Sequence, residues 1–252
     1  MNAFALYEGS YSVDGSKKFL PFNPETDDPK SRPGSLFIYV QPFLVKTNKH
    51  LMVLDTGLGQ RAANGQLLIH ENIRRAGYQP EDVNLVLMSH LHYDHSGGMT
   101  DGTQLAFPNA EYVIQRGEWE NAYSKPSASY RTEIFDIVQR SGNIHFVEGS
   151  GQLTDDISYE LTGGHCEFHQ VFTIKNAGKT IFFGGDILPE PEQLLRRFIA
   201  KYDFDGRKAM QLREEYGHKA ALEHWLCLFY HAKSTAMGYV EENEGRFKIV
   251  TV

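Results

Sequence analysis

The sequence predicts an α/β fold in which two β-sheets pack face to face with helices on their outer faces. Two observations lead there. Strand-like apolar runs fall into two blocks along the 252 residues, and segments with helical spacing accompany each block. Layer rules allow this sandwich, and the same order of elements is also compatible with one doubly wound sheet. The chain is 41% hydrophobic and 23% charged, an ordinary globular composition. With no internal repeat, low-complexity tract or interdomain linker, residues 1–252 are expected to form one domain.

In chain order, the first distinctive segment is irregular: DGSKKFLPFNPETDDPKSRPG, residues 14–34, with Pro21, Pro24, Pro29 and Pro33. A loop of this length inside a compact domain is usually functional or disordered. Its aromatics Phe19 and Phe22 suit a lid over a substrate; a dimer arm or a plain surface excursion fits equally well, so a homodimer stays open. Strands are expected at 35–47 and 50–57, rich in β-branched and aromatic residues and closed by a turn. Residues 66–76 set Ile69, Ile73 and Ala76 at helical spacing ahead of Gly77. VNLVLMSH (83–90) has the length and apolarity of a buried strand.

Further strands are expected at 110–115, 143–148, 157–163, 169–176, 179–186 and 226–230. Helices are expected at 116–123, about 129–140 and 205–225, the last with Ala209, Leu212, Tyr216 and Ala220 along one face. A hairpin turning at Glu244-Gly245 closes the chain.

Several function classes are disfavoured. A formal charge of −7 and the lack of a long basic run leave no electrostatic footprint for nucleic acid. No apolar run approaches the roughly 18–20 residues that span a bilayer, and the first residues lack a basic-then-apolar leader pattern. Two cysteines, Cys166 and Cys227, cannot build a disulfide framework. The expectation is a soluble cytoplasmic protein with reduced thiols and a small-molecule substrate.

The chemistry concentrates in SHLHYDHSGG (89–98). In an extended segment, side chains at i and i+2 share a face. His90 and His92 can therefore present imidazoles to one ion while Leu91 faces away. After a turn, Asp94 and His95 can aim at a second position, and Ser96-Gly97-Gly98 would let the backbone leave the crowded site and start a helix. Imidazole and carboxylate suit zinc, iron, cobalt or manganese; without a multi-cysteine set, a closed structural zinc site is disfavoured. One loop rarely satisfies two metals, and three further candidates follow apolar strand-like runs: His165, Asp186 and His231.

HLHYDH at 90–95 resembles the His-x-His-x-Asp-His signature of the metallo-β-lactamase superfamily, and His165, Asp186 and His231 follow in that family's order and spacing. VLDTG (53–57) and LTGGHCEFHQ (161–170) are similar to its flanking segments. The resemblance spans roughly residues 35 to 252. It implies an αββα sandwich of two mixed β-sheets, with His90, His92 and His165 on a first metal, Asp94, His95 and His231 on a second, and Asp186 bridging both. Asp55 would orient a ligand imidazole, or else only stabilise its turn. The implied cofactors are two divalent ions, zinc first, with iron, manganese or cobalt as alternatives.

Two ions about 3.5–4 Å apart can share a hydroxide at neutral pH, which attacks a carbonyl or phosphoryl centre. The catalytic carboxylates would be Asp94 and Asp186. Within the superfamily the chain looks most like the lactonase branch, which opens acyl homoserine lactones. It departs from that branch at Gly163, at Glu167-Phe168, and at Pro189, where lactonases tend to carry a tyrosine that assists the carbonyl oxygen. Phosphotriester, aryl-ester and thioester hydrolases therefore remain close alternatives. So does a mononuclear iron thiol or persulfide dioxygenase, and, further off, a metal-binding module without catalysis.

The remaining polar residues have simpler expected roles. Cys166 and Cys227 suit buried packing positions, a metal-bound Cys166 thiolate being the lesser alternative, and His169 suits a packed strand start or, less simply, a support for the ligands. His218 and His224 suit the surface or end of the last helix, and His50, His70 and His145 exposed or capping positions. Asp203 and Asp205 can bind a cation, but an N-cap at Asp205 is simpler. Tyr202 and Phe204 fit either a pocket wall or the core.

Overall fold

The structure, a computed structural model, describes residues 2–252. β1 (Asn2–Ala5) is followed by β2 (Gly9–Val13), β3 (Phe19–Pro21) and β4 (Leu36–Val40), which form a small antiparallel sheet in the order β3-β2-β4. β5 (Phe43–Lys46), β6 (Leu51–Leu54), β7 (Leu85–Leu87), β8 (Glu111–Gln115) and β9 (Ile144–Val147) join β1 in a six-stranded sheet, order β1-β5-β6-β7-β8-β9. Its pairings are antiparallel up to β6 and parallel from β6 to β9.

The second large sheet runs in sequence order: β10 (Gly151–Thr154), β11 (Ile157–Leu161), β12 (Gln170–Asn176), β13 (Lys179–Phe183), β14 (Leu226–Leu228), β15 (Met237–Asn243) and β16 (Arg246–Thr251). Only β13 and β14 pair in parallel there. The helices are α1 (Leu68–Arg75), α2 (Tyr93–Ser96), α3 (Arg116–Ser124), α4 (Thr132–Ser141), α5 (Glu192–Leu195) and α6 (Gly206–Glu223).

Strand alternation sorts the apolar side chains into layers. Phe43, Met52, Leu54 and Leu87 of the first sheet meet Phe172, Ile174, Ile181 and Phe183 of the second in a core between the sheets. Their neighbours Leu44, Val53 and Val86 face the opposite way, onto Ile73 of α1, Trp119 of α3 and Phe135 of α4. On the far side, Val171, Phe182 and Cys227 pack under Ala209, Tyr216 and Ala220 of α6. Both sheets are thus buried on two faces, which decides for the four-layer αββα arrangement over one doubly wound sheet. No helix among the described residues is long and apolar enough to cross a membrane.

Three local expectations need correction. The run 35–47 is not one strand: it breaks at Gln41-Pro42 into β4 and β5, which belong to different sheets. Proline cannot donate to a ladder, and the buried Gln41 amide instead donates to Phe229 O and Ala232 O, at 2.8 and 3.1 Å. Residues 14–34 are not irregular throughout, since they contain β3 and a single 3-10 turn at Pro29–Ser31. Arg32 pins this segment, donating to Ser12 Oγ at 2.7 Å and Pro21 O at 2.9 Å. Finally, β1, β2 and β10 lie outside every expected strand, because short half-buried strands carry little apolar signal. By contrast, Asp205 does cap α6, accepting from Lys208 N at 3.0 Å. Glu244 and Gly245 both have positive φ, 50° and 73°, as a tight two-residue hairpin turn requires.

Candidate metal centre

Strand ends of both large sheets converge on one edge of the sandwich. β6 leads into Asp55, β7 into Ser89 and the His-rich loop, β13 into Asp186, and β14 into His231. His92 is the N-cap of α2, a single turn that lifts Asp94 and His95 toward the strand ends. Helix therefore begins at Tyr93, ahead of Gly97-Gly98 rather than after them. These glycines lie against the Leu58 and Thr56 carbonyls so closely that a Cβ on either would overlap backbone oxygen. Leu91 turns away into the core beneath α3.

Two groups of nitrogen and oxygen atoms result. His92 Nδ1 lies 3.0 Å from His90 Nε2 and 3.1 Å from His165 Nε2. Beside them, Asp94 Oδ2 lies 3.8 Å from His95 Nε2 and 3.6 Å from His231 Nε2. Asp186 sits between the groups. Its Oδ1 is 3.2 Å from His95 Nε2 and 3.3 Å from His231 Nε2, while Oδ2 is 3.3 Å from His165 Nε2.

The outward-facing nitrogens decide what the inward ones present. Ser89 donates its hydroxyl to Asp55 Oδ2 at 2.6 Å, so its oxygen accepts from His90 Nδ1 at 3.0 Å. His95 Nδ1 donates to Asp55 Oδ2 at 2.7 Å, His165 Nδ1 to Asp203 Oδ1 at 3.0 Å, and His231 Nδ1 to Tyr39 O at 2.6 Å. Each of these imidazoles spends its N–H outward and aims a lone pair inward. Lone pairs and carboxylates converging in a buried space repel one another unless a cation lies among them. Consistently, His95 Nε2 and Asp186 Oδ1 are buried without a hydrogen-bond partner. This donor set fits divalent metal ions.

The electrostatics agree. Burial opposes charge on His95 and His231, yet Asp186 and Asp94, joined at His95 by Asp55, hold both above the usual histidine range. Burial likewise opposes ionisation of Asp186, but His95, His231 and His165 hold it well below the carboxylate range. The carboxylates thus demand positive charge at this point. Burial pushes His90 and His92 well below the ordinary value, and neighbouring histidines reinforce the shift, leaving neutral imidazoles suited to ligation.

Asp55, expected either to orient a ligand imidazole or only to stabilise its turn, does reach one at His95, and several other supporting residues escaped sequence reasoning. Asp55 has a left-handed backbone, φ 51°, that turns its carboxylate onto both Ser89 and His95. His169, expected as packing, accepts from Asp186 N at 3.0 Å through Nε2 and pairs with Thr162 Oγ1 through Nδ1 at 2.9 Å. Glu118 of α3 accepts from Leu91 N and from the Tyr130 hydroxyl, each at 3.1 Å, and so fixes the backbone between His90 and His92. Glu8 accepts from Leu58 N and Gln60 N, both at 2.6 Å, and burial pushes its carboxyl up to about 7. Tyr230 stacks on His95 with ring centroids 4.1 Å apart and donates to Asp94 O at 2.6 Å. Apart from Asp55, which lies in the VLDTG segment, none of these carries a spacing signal, and most of the partners are distant in sequence.

The other weighed residues take simpler places. Cys166 and Cys227 are free and buried, Cys166 donating its thiol to Glu118 Oε2 at 3.4 Å. His224 caps α6 with φ 54°, and His218 pairs with Glu242 at 2.7 Å near the surface. His145 lies 3.6 Å from Glu111, whereas His70 is half-buried, bonded to Ala106 O at 2.9 Å rather than free in solvent. Tyr202 and Phe204 line a cavity instead of entering the core; Phe204 is 67% exposed.

That cavity, about 670 Å³, opens directly over His92, Asp94, His165, Asp186 and His231. Its apolar lining comes from Phe19, Phe37 and Ile38 of the small sheet and from Phe198, Tyr202 and Phe204. Lys17 of the 14–34 segment also borders it.

Comparison with known proteins places this geometry. A sequence profile described as the metallo-beta-lactamase superfamily matches residues 37–231. An N-acyl homoserine lactonase of Bacillus cereus is 31% identical over 164 residues, covering 57% of this chain and 61% of the relative. The match thus spans about three fifths of that curated relative's length. Among solved structures, a "probable metal-dependent hydrolase from Staphylococcus aureus" superposes with TM-score 0.78 at 20% identity, covering 100% of this chain and 96% of the other. AidC, described as a dizinc quorum-quenching lactonase, superposes with TM-score 0.74 at 19% identity, covering 99% and 94%. At these identities the structural matches establish shared fold.

Proposed function

The chain belongs to the metallo-beta-lactamase superfamily, and on that footing we propose that it is a dinuclear metal-dependent hydrolase that opens a lactone or cleaves an ester of a small molecule. The observation that carries this reading is the position of Asp186, whose two oxygens face two different groups of ligand-type side chains. His90, His92 and His165 would hold one ion and Asp94, His95 and His231 the other, with Asp186 facing both groups. Two divalent ions on this nitrogen-rich donor set, zinc by preference and iron, manganese or cobalt as alternatives, would make water nucleophilic at neutral pH and polarise the attacked oxygen.

The chain's own residues do the rest. Asp55, Asp203, Ser89 and the Tyr39 carbonyl fix which nitrogen of each imidazole points inward. Asp94 borders the cavity beside His231, where its carboxylate would take the proton released by the attacking water and pass it to the leaving alkoxide. Phe19, Phe37 and Ile38 exclude water from one side and offer an apolar bed for an acyl or aryl group. The 14–34 segment acts as a fixed lid through Phe19 and Lys17, within a single 1–252 domain. Buried free thiols suit a cytoplasmic setting.

The lactonase relative supports a lactone. Pro189 supports the second reading, an aryl-ester or phosphotriester hydrolase: the position three residues after Asp186 has no hydroxyl to offer a carbonyl oxygen. A panel of lactones, aryl esters, thioesters and phosphotriesters, run on metal-loaded protein, separates the two. Turnover should vanish on chelation and return on adding metal, and Phe19→Ala should change the order of preferred substrates. No hydrolysis of any member, with oxygen uptake and one iron per chain, would replace the hydrolase with a dioxygenase; an unchanged order for Phe19→Ala would reject the lid.

A further inference from the structure

α6 carries a buried cation that hydrogen-bonds to no metal-ligand side chain and does not itself line the cavity. Arg213 is only 2% exposed. Burying a guanidinium is costly unless its donors are met, and here two of its three nitrogens are spent on two separate loops. Nε donates to Ile187 O at 2.7 Å, on the residue after Asp186, and Nη1 donates to Phe198 O at 2.9 Å. Residues 198–205 in turn wrap the third histidine. Phe204 N donates to His165 O at 2.9 Å, Asp205 N to Gly164 O at 2.8 Å, and Asp203 Oδ1 accepts from His165 Nδ1 at 3.0 Å. Tyr202 sets its ring edge-on to His165, with centroids 5.7 Å apart.

The Asp203 side chain is also buried, 1% exposed. Its Oδ2 and Arg213 Nη2 are both buried and without a hydrogen-bond partner, an acceptor and a donor of opposite charge in one region. No direct ion pair within 4.0 Å joins them among the described residues, so the carboxylate stays free to serve the imidazole.

We propose that Arg213 and Asp203 are a coupled pair of positioning residues that preset His165 and Asp186, from two different loops, for metal uptake. Arg213 anchors the Asp186 turn through Ile187 and the 198–205 strap through Phe198. Asp203, carried on that strap, holds the Nδ1 proton of His165 so that Nε2 faces the ion. The pair acts through the ligands and touches no substrate. This inference rests on the two-metal reading above.

The test is zinc titration of the metal-free protein against a competing chelator, with cobalt absorption as a second view of the same sites. Asp203→Asn should weaken one of the two sites about 10–100-fold, the range for loss of a group that orients a ligand histidine. Arg213→Met should weaken uptake in the same direction, with Arg213→Lys in between. The double variant should be no worse than the more damaging single, because the two act along one path. Thermal unfolding of the metal-free forms separates this from scaffolding: a merely structural Arg213 lowers stability and leaves zinc affinity at the wild-type value, which would overturn the proposal. Should Arg213→Met fail to fold, Asp203→Asn and Arg213→Lys decide, and wild-type affinity in both overturns it. Wild-type protein that takes up no divalent ion fails earlier, at the two-metal reading itself.

Discussion

Asp186→Asn should lower hydrolysis by well over a hundredfold and leave the purified chain short of metal. Losing a residue that only orients a ligand costs about 10–100-fold in metal affinity or activity, and Asp186 faces both groups directly. Its Oδ1 approaches His95 and His231, and its Oδ2 approaches His165. Asparagine keeps the volume but replaces one oxygen with an N–H donor, and either orientation turns that donor toward a ligand-type nitrogen or a cation. The backbone hydrogen bond from Asp186 N to His169 survives the substitution, so the fold should hold. Metal analysis and steady-state rates of the same preparation check both halves. Full activity in a metal-depleted Asp186→Asn protein would contradict the assignment.

The largest expected effect on stability lies between the sheets. Phe183 is fully buried, its ring centroid 6.1 Å from that of Phe43 across the sandwich and 6.3 Å from that of Tyr230. Truncating a phenylalanine in such a core costs about 3–5 kcal/mol, through lost transfer energy plus the cavity left behind. In a chain of this size each kcal/mol lowers Tm by about 2–4 °C, so Phe183→Ala should unfold roughly 6–20 °C earlier. Urea denaturation measures the free energy. Leu222→Ala is the control: that side chain is 81% exposed on α6, and its loss should fall within about 0.5 kcal/mol. Equal effects from the two substitutions would contradict the four-layer packing. Because Tyr230 both stacks on His95 and donates to Asp94 O, the Phe183 cavity should also weaken metal uptake.

Much of the architecture was legible because its signals are local. A buried parallel strand such as 83–90 reads as a continuous apolar run, and α6 shows its packed face through Ala209, Tyr216 and Ala220. HLHYDH stands out as a concentration of one chemistry in one loop, and the structure brings His90, His92, Asp94 and His95 within a few ångströms of His165, Asp186 or His231. Strand ends deliver these residues, so an apolar run followed by a ligand-type residue is a usable pattern.

What was not legible depends on tertiary contact. Asp203 meets His165 across 38 residues, and Glu118 holds Leu91 N across 27; no spacing rule singles out either carboxylate from its polar neighbours. His169 alternates as any strand-start residue does, and only the fold shows that it holds Asp186 N. The break at Gln41-Pro42 was hidden for a related reason: β4 and β5 are apolar on both sides of it, and the change of sheet is set by Gln41 reaching Phe229 and Ala232.

Hydrolysis on the proposed reading depends on two divalent ions, which His90, His92, His95, His165 and His231, with Asp94 and Asp186, would hold. Metal content of the purified wild-type chain, measured alongside hydrolysis before and after chelation, tests this dependence most directly. The expected result is two divalent ions per chain, with activity lost on chelation and restored by zinc, manganese or cobalt. A metal-free chain that still hydrolyses at the full rate, or a single iron with oxygen uptake in place of hydrolysis, would contradict it.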